Sequence, residues 1–251
     1  MADVILEGKE ITRSFGGLRA LAGVNIAVAR GEVFGLIGPN GAGKSTLLSV
    51  LCGVCPPSSG RVLFRGRDTT SLEAHRVCQL GISRVLQTPR PFESMSVLEN
   101  VAVGAVFGGH GRLKNKSIAE QAESILRFVG LSDKQDFPVG RLTLQEKKLL
   151  EMARALASRP EVLLLDEVMS GLNPTEIEEA MRLVQRVRDD LGVTVVWIEH
   201  VMKAIMGVAE RVMVLNYGQV ISLGSPAEVA RDEKVIEAYL GKGMGATGTG
   251  G

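Results

Sequence analysis

The sequence lacks the features that mark several large classes of protein. Its 251 residues contain no apolar run close to the roughly 20 residues that a membrane-spanning helix needs. Basic and acidic residues balance, 29 against 28, which leaves no electrostatic footprint for a nucleic acid, so we expect no nucleic-acid partner. Asp3, Glu7 and Glu10 lie where a secretory signal would be apolar. We therefore expect a soluble cytoplasmic protein, which can still dock on membrane proteins.

Cysteine is also scarce, with three residues in the chain. Cys52 and Cys55 have the C-x-x-C spacing of a redox or metal pair, but no second pair or histidine cluster completes a metal site. The pair ends a helical pattern and is followed by two prolines. We interpret these cysteines as small apolar packing residues.

What the sequence does contain is a phosphate-binding loop between an apolar strand pattern and a helical pattern. The motif G-x-x-x-x-G-K-[ST] and the residue after it comprise Gly38, Pro39, Asn40, Gly41, Ala42, Gly43, Lys44, Ser45 and Thr46. The glycines let backbone N–H groups point at phosphate oxygens, and the following helix presents its positive N-terminal end to the same place. Lys44 supplies a charge for the β- and γ-phosphates, and the Ser45 hydroxyl is a ligand for Mg²⁺. Binding of a nucleoside triphosphate is predicted, and a chance glycine-rich turn is the disfavoured alternative.

A pair of acids ends a second apolar run. Asp166 and Glu167 follow residues 162–165, which read as a buried strand, and α/β sheets bind ligands at the carboxyl ends of their strands. Asp166 can hold Mg²⁺ through water, and Glu167 can polarise an attacking water. Such pairs are often only solvated strand ends, but the phosphate-binding loop in the same chain favours the functional interpretation.

Two more polar side chains follow strand-like runs. Gln87 comes after residues 82–86, and its amide can ligate Mg²⁺ or a water. His200 comes at the end of the run that begins at Val193, and a neutral imidazole there can hydrogen-bond a γ-phosphate. A capping or buried histidine is the alternative for His200.

The chain divides into three blocks and a tail. Residues 4–15 and 24–28 read as antiparallel strands around a glycine turn. Residues 92–158, roughly, read as a helical block, with capping boxes that begin at Ser96, Ser117 and Thr143, and a further capping box is predicted at Thr70 for a helix at 72–80. Strands and helices alternate again from residue 161, with Asn173 capping a helix. Residues 241–251 contain six glycines and are predicted to be disordered.

Taken in order, these motifs resemble those of the ATP-binding cassette (ABC) ATPases over residues 4–240. The resemblance implies an α/β P-loop NTPase fold with a mixed central sheet, an antiparallel N-terminal β-subdomain and a helical subdomain, all in one domain at 1–240. It implies that Phe15 stacks on adenine, that Gln87 senses Mg²⁺ and signals to a partner, that Glu167 is the catalytic base and that His200 is the γ-phosphate switch. It also implies two subunits that sandwich two ATP molecules, each phosphate loop facing the partner's signature motif.

The signature motif is where the chain departs from the family pattern L-S-G-G-Q. Aligned by the residues that follow, it is Leu142, Thr143, Leu144, Gln145 and Glu146. Thr143 keeps the hydroxyl and is expected to contact nucleotide in trans, while both glycines are replaced and an acid stands where an amide is usual. Asn173, where the family usually has aspartate, is a second departure. We expect the composite site that uses this signature to be weaker, which suits a heterodimer with two unequal sites.

Several stretches, including residues 81–87, 170–174 and 198–202, resemble the ATPase subunits of branched-chain amino acid importers. The same subfamily includes importers of urea and related small polar solutes, which remain an alternative. The resemblance implies integral membrane permease subunits as partners, a solute-binding protein indirectly, and a peripheral location on the cytoplasmic face of the membrane. A soluble ABC ATPase of translation or DNA repair is disfavoured because the chain has neither tandem cassettes nor a long coiled-coil insertion. A non-catalytic regulator is disfavoured because Glu167 and His200 are both present.

Overall fold

The structure, a computed structural model, describes residues 3–108 and 117–240, so the predicted tail at 241–251 lies outside the described residues. No helix in this part of the chain is both long and apolar enough to cross a bilayer. Its strands are β1 (Val4–Phe15), β2 (Leu18–Ala29), β3 (Val33–Ile37), β4 (Ser59–Phe64), β5 (Arg67–Asp68), β6 (Ile82–Val85), β7 (Val162–Asp166), β8 (Thr194–Ile198), β9 (Arg211–Asn216) and β10 (Gln219–Gly224). Its α-helices are α1 (Lys44–Leu51), α2 (Ala74–Leu80), α3 (Val97–Phe107), α4 (Ile118–Val129), α5 (Leu144–Ala157), α6 (Pro174–Leu191), α7 (Met202–Val208), α8 (Pro226–Val229) and α9 (Glu233–Leu240).

The strands form two sheets. The first is antiparallel, in the order β2-β1-β4-β5, and contains the predicted N-terminal strands. The second has the order β10-β9-β3-β8-β7-β6, in which β10 is antiparallel to β9 and the other pairs are parallel. The expected mixed central sheet is therefore present. Its parallel strands end at a common edge, where the polar residues after β6, β7 and β8 meet.

The mixed sheet is covered on both faces, which explains why its strands are continuous apolar runs. Alternate residues of β3 enter two different cores: Phe34 and Leu36 pack with α1 and the antiparallel sheet, while Val33 and Ile37 pack with the helices of the other face. Every residue of β3, β7 and β8 is buried. The sheet is thus a rigid platform for the side chains at its carboxyl edge.

Helices α3, α4 and α5 pack against one another. The predicted capping boxes at their N-termini are confirmed, since Ser96, Ser117 and Thr143 each accept a hydrogen bond from the backbone N–H three residues later. The approach of α3 to α5 is close at Gly104, where an added Cβ would lie 2.0 Å from the Arg154 carbonyl oxygen. This packing holds the N-terminus of α5, and with it the signature motif, in a fixed place.

The capping box predicted at Thr70 is wrong. Helix α2 begins at Ala74, and its N-cap, Glu73, makes no side-chain capping hydrogen bond. The Thr70 hydroxyl instead accepts from the Val62 N–H at 2.9 Å and donates to Asp68 at 2.5 Å. The Thr70 hydroxyl therefore stabilises the β4–β5 hairpin and does not form the helix cap that the local pattern had predicted.

Candidate functional site

The phosphate-binding loop joins the end of β3 to α1, and its glycines are required by close contacts. An added Cβ would lie 2.0 Å from the Leu215 carbonyl oxygen at Gly38 and 2.5 Å from the Ala20 carbonyl oxygen at Gly43. Both residues also have positive φ, 147° and 103°. Gly43 is the N-cap of α1 and supplies no side-chain cap, so the N–H groups of the first turn are not taken by a capping side chain. The loop is built as an anion cradle.

Lys44 spans this loop from within. Its Nζ donates to the carbonyl oxygens of Gly38 at 2.8 Å and Pro39 at 3.0 Å, and the residue is 5% exposed. Burial lowers the pKa of Lys44, and the nearby carboxylates of Glu167 and Asp166 oppose that shift. A buried ammonium held by two carbonyl groups can exchange them for phosphate oxygens, whose negative charge makes the hydrogen bonds stronger.

Ser45 and Asp166 supply the oxygen ligands that Mg²⁺ prefers. The Ser45 hydroxyl donates to Asp166 Oδ1 at 3.0 Å, so both oxygens reach the same point beside the phosphate-binding loop. The other oxygen, Oδ2, accepts from Arg84 Nη2 at 2.5 Å, and Arg84 Nη1 donates to Ser49 Oγ at 2.8 Å. Arg84 has no role predicted from the sequence, although a charged residue inside a strand-like run is a usable signal. The hydroxyl and carboxylate pair fits Mg²⁺.

Glu167 lies at the centre of the residues predicted from the sequence. Its Oε2 accepts from Gln87 Nε2 at 2.7 Å, and its Oε1 accepts from His200 Nε2 at 2.6 Å. Its backbone has φ 50°, a left-handed conformation that is unusual for glutamate and is found at functional sites. The structure therefore brings the residues that follow β6, β7 and β8 into one hydrogen-bonded group, at the edge of the sheet that also carries Asp166.

A further acid at this edge, Glu199, has no role predicted from the sequence. It directly precedes His200 and is 2% exposed. Burial raises the pKa of Glu199, and hydrogen bonds from backbone N–H groups oppose that shift. The signal was present, because Glu199 ends an apolar strand just as Asp166 and Glu167 do.

Phe15 lies at the end of β1, where 49% of its surface is exposed. The Arg13 guanidinium carbon is 4.6 Å from the centroid of its ring. An exposed aromatic ring with a cation on it is a chemically suitable platform for stacking. Stacking on adenine remains a prediction.

The signature residues surround the N-terminus of α5. Thr143 Oγ1 accepts from the Glu146 N–H at 3.3 Å, and Glu146 Oε2 accepts from the Thr143 N–H at 2.8 Å. Glu146 also forms an ion pair with Lys134, which holds the pKa of Glu146 below its ordinary value. Gln145 donates to Glu179 at 2.8 Å, and Leu144 is 49% exposed. The charge of Glu146 is therefore paired within the chain, while the side chain of Leu144 projects partly into solvent.

Comparisons with known proteins agree with this geometry. Residues 21–170 match the family model described as ABC transporter, and residues 219–244 match one described as Branched-chain amino acid ATP-binding cassette transporter. The chain is 34% identical to the high-affinity branched-chain amino acid transport ATP-binding protein BraF of Pseudomonas aeruginosa, over 96% of this chain and 100% of BraF. It is 33% identical to LivG of Escherichia coli K12, again over 96% and 100% of the two chains.

Solved structures show the same fold. The crystal structure of MJ1267, an ATP-binding cassette of an ABC transporter in its ADP conformation, superposes with a TM-score of 0.86 and 34% identity, over 95% of this chain and 99% of that one. A dimeric cassette, MJ0796, bound to ADP and phosphate, superposes with a TM-score of 0.79 and 25% identity, over 88% and 99%. The expected family and fold are both confirmed. The chain belongs to the ABC transporter family, as one of its ATP-binding, ATP-hydrolysing cassettes.

Proposed function

We propose that this chain is the ATP-hydrolysing subunit of an importer of branched-chain amino acids. The observation that carries the proposal is the match of residues 219–244 to the branched-chain amino acid model, together with end-to-end identity to BraF and LivG. The matched segment comprises β10, α8 and α9, which lie outside the general ABC transporter match at 21–170. This subfamily-specific segment distinguishes the chain from other cassettes.

For the chemistry, we propose that residues 38–46 and Lys44 in particular hold the triphosphate of ATP, with Phe15 against the adenine. Ser45 and Asp166 would hold Mg²⁺, aided by Gln87, and the ion supplies charge neutralisation for the phosphate oxygens. Glu167 orients and polarises the attacking water. His200 contacts the γ-phosphate region and responds to its loss.

The side chain of Glu167 is held in place by two neighbouring side chains. Both carboxylate oxygens of Glu167 are occupied, one by Gln87 and one by His200. Each oxygen has a second lone pair that can still accept from a water, but the two hydrogen bonds hold the carboxylate in one orientation. We infer that the arrival of nucleotide draws Gln87 and His200 toward the phosphates, which releases the Glu167 carboxylate to turn toward the attacking water.

We further propose that the chain works in a heterodimer with a second cassette, each phosphate loop being completed by the other subunit's signature. Leu144 and Gln145 fill space that the glycines of the family pattern leave open, so the composite site that uses them binds phosphate less closely. The two sites of the assembled complex are then unequal. Turnover measured with Glu167→Gln in this subunit, and then with the equivalent change in the other, should differ; equal rates would contradict the inequality.

A surface cavity lined by residues that flank Gln87 in the chain, Arg84 and Phe92 among them, suits the membrane partner. The cavity measures about 390 Å³, lies among α2, β6, α3 and α5, and is lined in part by Phe92, Val54 and Phe107. These three apolar side chains are 45%, 61% and 69% exposed. We propose that a short helical segment of a permease subunit occupies this cavity and holds the cassette at the cytoplasmic face of the membrane. A solute-binding protein acts through that permease and does not contact this chain.

An uptake experiment tests the function. Cells that express the chain with the permease subunits that co-purify with it should accumulate labelled leucine, isoleucine and valine, and Glu167→Gln should abolish the uptake. Accumulation of labelled urea in place of these amino acids would identify the alternative substrate. ATPase activity without any co-purifying membrane subunit would favour a soluble ABC ATPase and contradict the proposal.

A further inference from the structure

The carboxylate of Glu199 joins two loops that carry predicted catalytic residues. Its Oε1 accepts from the Met169 N–H at 2.7 Å, in the loop that begins at Glu167. Its Oε2 accepts from the His200 N–H at 3.2 Å, and the Val201 N–H also bonds to the carboxylate. Glu199 thus connects the backbone that follows β7 to the backbone that follows β8.

The same two loops are connected by a backbone hydrogen bond, in which the Glu167 N–H donates to the Ile198 carbonyl oxygen at 2.9 Å. That bond fixes the start of each loop. The Glu199 carboxylate fixes each loop two or three residues further on, at the Met169 N–H after Glu167 and at the N–H groups of His200 and Val201, which lie on either side of the His200 Cα. Together they define the separation across which His200 reaches Glu167 at 2.6 Å.

A cation from a third element faces this arrangement. Lys148, on α5, donates to the carbonyl oxygen of Val168 at 2.9 Å. Val168 is the residue between Glu167 and Met169. Burial lowers the pKa of Lys148, and the negative charge of Glu199 opposes that shift. The carboxylate therefore has a countercharge nearby, so its burial does not leave an isolated charge in the protein.

Burying a carboxylate costs free energy unless it is hydrogen-bonded, and a buried carboxylate that accepts from several backbone N–H groups makes that part of the backbone rigid. We propose that Glu199 is a positioning residue, whose carboxylate holds the loop of Glu167 and the loop of His200 at the separation that hydrolysis requires. The proposal rests on the roles given above to Glu167 and His200. It adds that neither residue is correctly placed unless Glu199 connects their loops.

The test uses the full chain and the substitution Glu199→Gln. Glutamine has the same shape but only one acceptor oxygen, so it can accept from one loop and not from both. We expect kcat for ATP to fall by about tenfold or more, as is typical when a catalytic group is misplaced, while KM for ATP stays within about twofold. A purely structural defect would lower the amount of active protein without moving the catalytic residues.

Histidine NMR gives a readout that is independent of activity. The chain has three histidines, so the ring signal of His200 can be assigned as the one that is absent in His200→Ala. Glu199→Gln should shift this signal in the nucleotide-free protein.

The matched control is Glu32→Gln. Glu32 is also buried, at 8% exposure, and its carboxylate accepts from the Ala29 N–H and from Arg211. It precedes β3, so it lies at the opposite edge of the sheet. That control should lower stability but leave kcat and the His200 signal unchanged.

The proposal is overturned if Glu199→Gln keeps kcat within about twofold of wild type, or if the His200 signal coincides with that of the wild-type protein. Where the glutamine variant does not fold, Glu199→Asp takes its place under the same criteria, because its shorter carboxylate keeps the charge and cannot reach both loops. Glu167→Gln and His200→Ala belong in the same panel. Full activity in those two variants would refute the roles of Glu167 and His200, which is distinguishable from a failure at Glu199 alone.

Discussion

Replacing Lys44 with methionine isolates the charge at the phosphate-binding loop. Methionine fills nearly the same volume, so the change removes the ammonium group and leaves the packing of the loop. At an effective dielectric constant of about 20, an opposite charge at about 4 Å contributes about 4 kcal/mol. Lys44 must first give up two hydrogen bonds, to the Gly38 and Pro39 carbonyl oxygens, worth about 0.5–1.5 kcal/mol each.

The difference leaves about 1–3 kcal/mol of net binding energy, which corresponds to about 5- to 160-fold weaker binding of ATP. Calorimetric titration of the nucleotide-free chain with ATP measures it directly. Lys9→Met is the matched control, because it removes the same charge from an exposed position on β1 and should bind ATP like the wild-type chain. If Lys44→Met binds ATP within about threefold of wild type, the electrostatic argument for the loop is refuted.

Three further predictions concern α5 and its surroundings. Gly104→Ala should lower the free energy of unfolding in urea by about 1–3 kcal/mol, because the added Cβ would lie 2.0 Å from the Arg154 carbonyl oxygen. Gly140→Ala is the control, since its added Cβ has nothing within 4 Å and should not destabilise the chain. Equal unfolding midpoints for the two variants would contradict the helix packing. The ion pair with Lys134 lowers the pKa of Glu146 in the folded protein below its ordinary value of 4.5. The pair therefore stabilises the fold above pH 4.5, and this stability is lost as the pH falls through the pKa of the folded protein. Glu146→Gln should flatten the acid side of a plot of unfolding free energy against pH, and an unaltered plot would refute the pairing. Leu144→Gly should raise ATP turnover in the assembled complex, and a wild-type rate would rule out the steric argument.

Local patterns predicted the elements that depend on neighbouring residues. The capping boxes at Ser96, Ser117, Thr143 and Asn173 are all present, because each is closed within four residues of the chain. Thr70 has the same spacing to an acid, but its hydroxyl bonds within the β4–β5 hairpin instead. A local pattern is therefore reliable only where no neighbouring strand competes for the same group.

Part of the site could be predicted and part could not. Asp166 and Glu167 were identified because strand ends in α/β sheets bind ligands, and their neighbours Gln87 and His200 follow strands of the same sheet. The contacts of Arg84 with Asp166 and of Glu199 with Met169 depend on the order β8-β7-β6, which brings together residues 82 and 30 positions apart. Nothing in the spacing of the sequence fixes that order, so the contacts of these two charged residues emerge only from the fold.

The central claim is that Glu167 polarises the water that attacks ATP. Glu167→Gln keeps the size of the side chain and removes its charge, so it tests this claim most directly. The account predicts that steady-state hydrolysis falls by about 100-fold or more, while the dissociation constant for ATP stays within about twofold of wild type. Hydrolysis at close to the wild-type rate in this variant would contradict the claim.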